Sequence, residues 1–157
     1  MADFVFNIAK GRINELHDAI NANNPANSAL IVVLLKTAEA DAGMKDRDDL
    51  AAILANGSTE ADFTNYARKV LTDADINNSV IDDANDRREA DIPDPTWVAA
   101  GGVVNNNLVK LLICYDADTT QGNDANLTPL CAYDFVITTN GSDLVAQVAA
   151  AGYFRAS

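Results

Sequence analysis

The sequence predicts a mainly β domain with minor α content, arranged as an antiparallel β-sandwich or jelly-roll-like fold. Two largely apolar stretches of eight residues, 29–36 and 108–115, are bounded by turn-forming residues. Runs this short are typical of strands buried on both faces. Between apolar segments 130–138 and 144–148 lies Asn140-Gly141, a pair that predicts a hairpin because both residues tolerate positive φ. Residues 108–148 are therefore predicted to form an antiparallel meander.

The first elements follow from periodicity and turn chemistry. Ile13, Leu16, His17 and Ile20 have the spacing of one helix face, which predicts an N-terminal helix within residues 6–20. Turn formers fill residues 21–28 and end it. Residues 29–36 could be read as a helix continued through 37–42, but their β-branched centre favours a strand. Acidic residues before an apolar segment, and Asn56-Gly57 after it, predict a short helix near residues 46–56.

The remaining elements are shorter. Residues 58–65 could add a helical turn, and 66–71 alternate in polarity and carry two basic residues, as an edge strand does. The polar segment 73–88 predicts a hairpin or a mobile excursion, and two prolines restrict residues 88–99 to an interrupted or edge strand around a core Trp97. Residues 146–156 predict a closing strand. We expect a single domain, 1–157, with an N-terminal arm and helix (1–28) followed by the β-sandwich (29–157).

Composition restricts the classes of partner. The chain of 157 residues is 48% hydrophobic and has a formal net charge of -12, enough apolar material for one core. This negative charge opposes contact with phosphates, so we expect neither nucleic acid nor an anionic membrane as a partner. Residues 1–6 lack the basic and apolar regions of a secretion signal. We therefore expect synthesis and folding in a cytoplasm.

No pattern indicates catalysis, and we expect a protein that is not an enzyme. The single histidine, His17, has no nucleophile motif near it, and neither a phosphate-binding glycine loop nor clustered Cys and His is present. A hydrolase using paired carboxylates would need two of them facing each other across a cleft. Cys114 and Cys131 fit ordinary core residues. A cross-strand disulfide between them is geometrically possible, but a reducing compartment disfavours it.

The acidic loop after the central strand is the one metal-like pattern. Asp116, Asp118 and Asp124, with Gly122 among them, partly follow the alternation of a calcium loop. Thr120 occupies the third ligand position, and no glutamate closes the loop. We expect no cofactor, and calcium bound by these three aspartates is the alternative to a solvated polar loop.

Several segments together resemble a diffuse family of small structural proteins of tailed bacteriophages. Its members share a valine-alanine-leucine-leucine first strand, an aspartate-threonine-tryptophan strand, a strand ending in tyrosine and aspartate-threonine, a serine-proline-leucine return and a glycine-aromatic end. The similarity covers most of residues 6–157, with departures at Cys114, Cys131 and the 73–88 insert. The matching segments are 29–36, 65–71, 94–97, 114–119, 128–133 and 151–155.

The resemblance implies a virion structural protein: a capsid decoration or cement protein on the outer capsid surface, binding the major capsid protein lattice and neighbouring copies of itself. A place on the tail, neck or fibres is the alternative within this class, and a calcium-dependent binding module is the alternative outside it. Negative charge fits an outer surface better than one facing the genome. Phe4, Phe6 and Ile8, exposed on an N-terminal arm, are the predicted docking residues; the competing interpretation is that they complete the core.

Overall fold

A computed structural model describes residues 2–157, of which 33% are in strands and 16% in helices. The helices are α1 (Ile13–Asn21), α2 (Asp41–Met44) and α3 (Leu50–Ala55), with 3₁₀ turns at Asn7–Ala9 and Asp124–Asn126. The strands are β1 (Phe4–Val5), β2 (Ala29–Thr37), β3 (Thr59–Glu60), β4 (Lys69–Leu71), β5 (Val80–Asp82), β6 (Arg87–Ala90), β7 (Thr96–Trp97), β8 (Asn107–Asp116), β9 (Leu127–Thr138), β10 (Leu144–Val145) and β11 (Phe154–Ala156).

The main sheet is built on the strands that the apolar runs predicted. Its order is β1-β9-β8-β2-β3, with β4 also paired to β2, and the neighbouring strands are antiparallel. Within the sheet, β2 lies between β8 on one side and β3 and β4 on the other. Seven of its nine residues are buried, so both faces of this strand are covered. The mainly β, antiparallel prediction is confirmed.

Two smaller sheets accompany the main one. One has the order β11-β6-β5 and the other pairs β10 with β7. Helix α1 contacts β2 of the main sheet and also β6 and β11. The sandwich or jelly-roll arrangement stays a prediction, because strand pairings define neighbours within each sheet and not how the sheets stack.

The hairpin predicted after β9 is wrong. Gly141 does turn the chain, with φ of +93°, but β10 then pairs with β7 instead of returning along β9. Leu144 lies opposite Trp97 in this pairing, and both side chains are buried. Pairing with β7 thus buries two large apolar side chains, which stabilises this arrangement.

The N-terminal prediction also needs correction. The helix begins at Ile13, after Gly11 at φ +78°, and not near residue 6. Ahead of it, β1 is hydrogen-bonded to β9. The first residues are therefore an edge of the main sheet, and the expected separation of an arm and helix (1–28) from the sheet (29–157) does not hold for them.

Other local predictions are confirmed in part. The short helix is α3, whose N-cap Asp49 accepts a hydrogen bond from the Ala52 N–H at 2.7 Å. The segment 73–88 does form a hairpin, through β5 and β6, whereas 58–65 contains β3 and not a helical turn. The closing strand is β11, and Gly152 is required before it because a Cβ there would lie 2.1 Å from the Ala90 carbonyl oxygen.

Candidate interaction surface

The three predicted docking residues do not form an exposed arm. Phe6 is 0% exposed, and Phe4 and Ile8 are partly buried against the core. The Phe4 and Phe6 rings contact edge to face at 5.1 Å, and the Phe6 N–H donates to the Leu130 carbonyl at 3.0 Å. The prediction of an exposed N-terminal docking segment is wrong for Phe6, and the interpretation that these residues complete the core agrees with their burial.

A buried lysine holds this segment to the sheet. Lys110 is 0% exposed, and its ammonium lies 2.6 Å from Asp134 Oδ1, 3.1 Å from Asp41 Oδ1 and 3.2 Å from the Ala2 carbonyl oxygen. It also lies 5.2 Å from the centre of the Phe4 ring. A buried ammonium needs such partners. Sequence reasoning missed the cluster because Lys110 interrupts an apolar run and its partners are remote in the chain.

The acidic loop sends its three aspartates to different partners. Asp116 is buried and accepts a hydrogen bond from the Asp118 N–H at 3.0 Å. Asp118 in turn accepts from the Thr120 N–H and hydroxyl, and the hydroxyl hydrogen bond is the main cause that holds the Asp118 pKa below its usual value. The loop is therefore closed by its own side chains.

Asp124 is held by an arginine outside the loop. The Arg68 guanidinium contacts Asp124 at 2.5 Å and Glu60 at 2.6 Å, in the paired geometry that suits a planar guanidinium. Hydrogen bonding to Glu60 raises the Arg68 pKa. Within residues 2–157 no group of three or more His, Cys, Asp or Glu side chains is arranged to hold a metal ion. A cation bound by Asp116, Asp118 and Asp124 would have to draw Asp124 away from Arg68, and this site stays a prediction.

His17 and the two cysteines are core groups. His17 is 0% exposed, its Nε2 lies 2.8 Å from the Asn77 carbonyl oxygen, and its Nδ1 lies 3.4 Å from the Tyr153 hydroxyl. Cys114 and Cys131 are buried free thiols, and burial raises the pKa of each to about 12. A thiol with so high a pKa is a poor nucleophile at neutral pH.

One open cleft of the molecule carries acidic side chains. It has a volume of about 550 Å³ and is lined in part by Asp75, Glu89 and Asp91. Asp75 accepts hydrogen bonds from the Thr72 N–H and hydroxyl, and Glu89 lies 2.7 Å from the Arg87 guanidinium. These carboxylates bind neighbouring protein groups, which favours a structural role for them.

Most of the exposed aliphatic side chains lie on two segments of the chain. Nine large hydrophobic residues of the described chain are exposed, and six of them lie on segments 98–104 and 136–145. Val103 is 91% exposed and Val136 is 75% exposed, whereas a valine in the core would be almost fully buried. We name this set the valine surface; it consists of Val98, Val103, Val104, Val136, Ile137 and Val145.

Hydrogen bonds join the two segments that carry the valine surface. The Gly141 N–H donates to the Ala100 carbonyl at 2.8 Å, and the Ala100 N–H donates to the Ser142 carbonyl at 3.0 Å. The Thr139 N–H donates to the Asn106 carbonyl at 3.0 Å. The exposed side chains are therefore presented by backbone that is fixed in place, as a preformed interaction surface requires. The sequence alone does not distinguish these exposed valines from buried ones.

No protein family, no curated protein and no solved structure matches the chain. None of the described helices is both long and apolar enough to cross a lipid bilayer.

Proposed function

We propose that this chain is a non-enzymatic structural protein of a tailed-bacteriophage virion, a decoration protein that binds the major capsid protein lattice on its outer surface. The single observation that carries a binding function is the valine surface, because apolar side chains concentrated on a rigid part of a monomer mark interaction sites. The virion role rests on the family resemblance of the segments described above.

The charge of the chain supports an outward position. A formal net charge of -12 would repel packaged DNA. The valine surface supplies the apolar contact with the capsid, since its six members are aliphatic side chains exposed to water. Docking through it would bury side chains that water now surrounds, which is the main favourable term in protein association.

The first experiment is quantitative mass spectrometry of purified particles of the phage that encodes the chain. A molar ratio to the major capsid protein near one, or a simple fraction repeated across the lattice, is the expected result. A handful of copies per particle would instead assign the protein to the neck, tail or fibres. Complete absence from the particles would contradict the proposal.

A pair of variants tests the docking surface itself. Val103→Glu places a charge at a side chain that is 91% exposed on the valine surface, and Val80→Glu places the same charge at one that is 61% exposed on β5. Both positions are exposed enough to leave the fold intact. In a sedimentation assay with particles that lack the protein, we expect Val103→Glu to lose binding and Val80→Glu to keep it. Equal binding by the two variants would remove the valine surface from the proposal.

A further inference from the structure

The edge of β9 that faces away from β8 is covered only in its first half. On that side, β1 pairs with Cys131 and Ala132, and the Asp134 N–H donates to the Asp3 carboxylate at 2.8 Å. From Phe135 to Thr138, no strand of residues 2–157 lies on this edge. The last four residues of β9 are therefore an open strand edge, a template for one more strand.

This open edge is held in an extended conformation by β8. The pairing runs on to Asn107 opposite Thr138. Between Leu108 and Lys110 the register shifts, and the matching step on β9, from Ile137 to Asp134, is one residue longer. Such a bulge bends and twists the strand without ending the ladder. An incoming strand would therefore meet a backbone that is already ordered.

Several other edge strands carry charges of the kind that usually prevent association, whereas β1, β7 and β10 are uncharged but only two residues long. The strand β5 contains Asp82, β4 contains Lys69, β11 contains Arg155 and β3 contains Glu60. These strands are also two or three residues long. Short charged edges are the standard protection against edge-to-edge pairing. The open part of β9 has no charged residue, because residues 135–142 form an uncharged run of eight in a chain of which 22% of residues are charged. Its one protective feature is the bulge between Asp134 and Ile137.

We propose that the open edge of β9 pairs with the same edge of a second copy, antiparallel and about a twofold axis. This inference rests on the proposed function, in which neighbouring copies meet on a lattice. A twofold pairing is self-complementary, so one uncharged edge serves both partners. The net charge of -12 on each copy opposes contact through acidic parts of the surface. It directs copies to meet where charge is missing.

The pairing would have two consequences for the surface. It joins the main sheets of two copies into one continuous sheet, and it covers Val136 and Ile137, which are 75% and 43% exposed in the single chain. The other four members of the valine surface are then the ones left for the capsid. Repulsion between the remaining acidic surfaces is long-range and screened by salt. Dimer formation should therefore strengthen as ionic strength rises.

The test is the molar mass of the full chain by light scattering, over a wide concentration range at low and high salt. We expect a monomer–dimer equilibrium that shifts to dimer at high salt. Val136→Glu should raise the dimer dissociation constant at least about tenfold, because it places a charge on the paired edge of each copy. Ile81→Glu, on the edge of β5, is the control with the same added charge and should leave the constant unchanged.

Hydrogen–deuterium exchange locates the contact independently. Amides of residues 135–138 should exchange more slowly as concentration rises, while those of 80–82 should not change. A chain that stays monomeric at every concentration would overturn the self-pairing, and so would a dimer that Ile81→Glu weakens as much as Val136→Glu does. If monomeric protein is nevertheless found on particles, the decoration proposal stands and the self-pairing alone fails. If the chain forms a β9-dependent dimer but is missing from particles, the self-pairing stands and the decoration proposal fails.

Discussion

Lys110 and Tyr133 are near neighbours on β8 and β9, but their side chains lie on opposite faces of the main sheet. Lys110 is paired with Asp134 across the strands, whereas Tyr133 is paired with Leu111, the next residue along, and successive side chains alternate between faces. On the Lys110 face the ammonium contacts two carboxylates and the Ala2 carbonyl. Ion pairs therefore stabilise the Lys110 face.

Hydrogen bonds between neutral groups stabilise the Tyr133 face. The Tyr133 hydroxyl donates to the Tyr153 carbonyl, the Tyr153 hydroxyl lies 3.4 Å from His17 Nδ1, and His17 Nε2 lies 2.8 Å from the Asn77 carbonyl oxygen. Burial raises the pKa of both tyrosines and lowers that of His17, so all three are neutral near pH 7. The comparison shows that the two faces of one sheet can be held in different ways, one by a charged cluster that also binds the Ala2 carbonyl and the other by neutral hydrogen bonds that reach Tyr153.

The largest effect should come from removing the buried charge. Lys110→Ala takes away the positive charge that faces Asp134 and Asp41 and leaves a cavity in place of the alkyl chain. Breaking a buried ion pair in this way typically costs about 3–5 kcal/mol in unfolding free energy. Urea unfolding followed by circular dichroism measures it. The control is Lys36→Ala, because the Lys36–Asp62 pair is far more exposed, at 28% and 62% of the side chains, and should change stability by about 0.5 kcal/mol or less.

Lys110→Met separates the charge from the packing. It keeps most of the apolar volume, so we expect a smaller loss than for alanine, between the two values above. If Lys110→Ala were as mild as Lys36→Ala, the Lys110 face would not depend on its ion pairs, and the contrast between the two faces would disappear.

The second effect is a pH dependence that belongs to the Tyr133 face. Burial lowers the His17 pKa, although the Asn77 hydrogen bond and the charges of Asp18 and Asp91 act in the opposite direction. Below pH 6.5, the usual histidine pKa, the unfolded chain therefore binds a proton that the folded chain does not. Stability contributed by neutral His17 is fully present above pH 6.5 and is lost as pH falls towards the folded pKa. The slope is at most about 1.4 kcal/mol per pH unit.

Urea unfolding at pH 7 and pH 5 measures this slope, and the chain has one histidine, which makes the assignment direct. His17→Gln removes the titrating group while keeping an amide able to donate to Asn77. We expect it to be less stable than wild type at pH 7 but to lose less stability between pH 7 and pH 5. Equal losses in the two proteins would show that carboxylates, and not His17, dominate this pH range.

The same two faces show which features could be predicted from the sequence and which could not. The strands that carry them were predicted because residues 29–36 and 108–115 are short apolar runs, and their burial follows from that pattern. The contacts that these side chains make were not predicted. Lys110 and Asp41, for example, are far apart in the sequence and meet only through tertiary packing. Pairing of β10 with β7 was missed because a turn signal states that the chain reverses, not which strand it then joins. Val103 and Val136 were hidden because composition cannot separate a buried valine from an exposed one.

The smallest effect should come from the hydrogen bond that closes the Tyr133 face. Tyr133→Phe keeps the ring that packs against the core and removes the hydroxyl that donates to the Tyr153 carbonyl. The expected loss is about 1 kcal/mol, the usual net value of one neutral hydrogen bond, and urea unfolding at pH 7 measures it. His17 and Asn77 remain bonded in this variant, so it should keep the wild-type loss of stability between pH 7 and pH 5. A loss comparable with that of Lys110→Ala would mean that the hydroxyl holds the whole C-terminal segment in place, and the neutral face would then be as strongly fastened as the charged one.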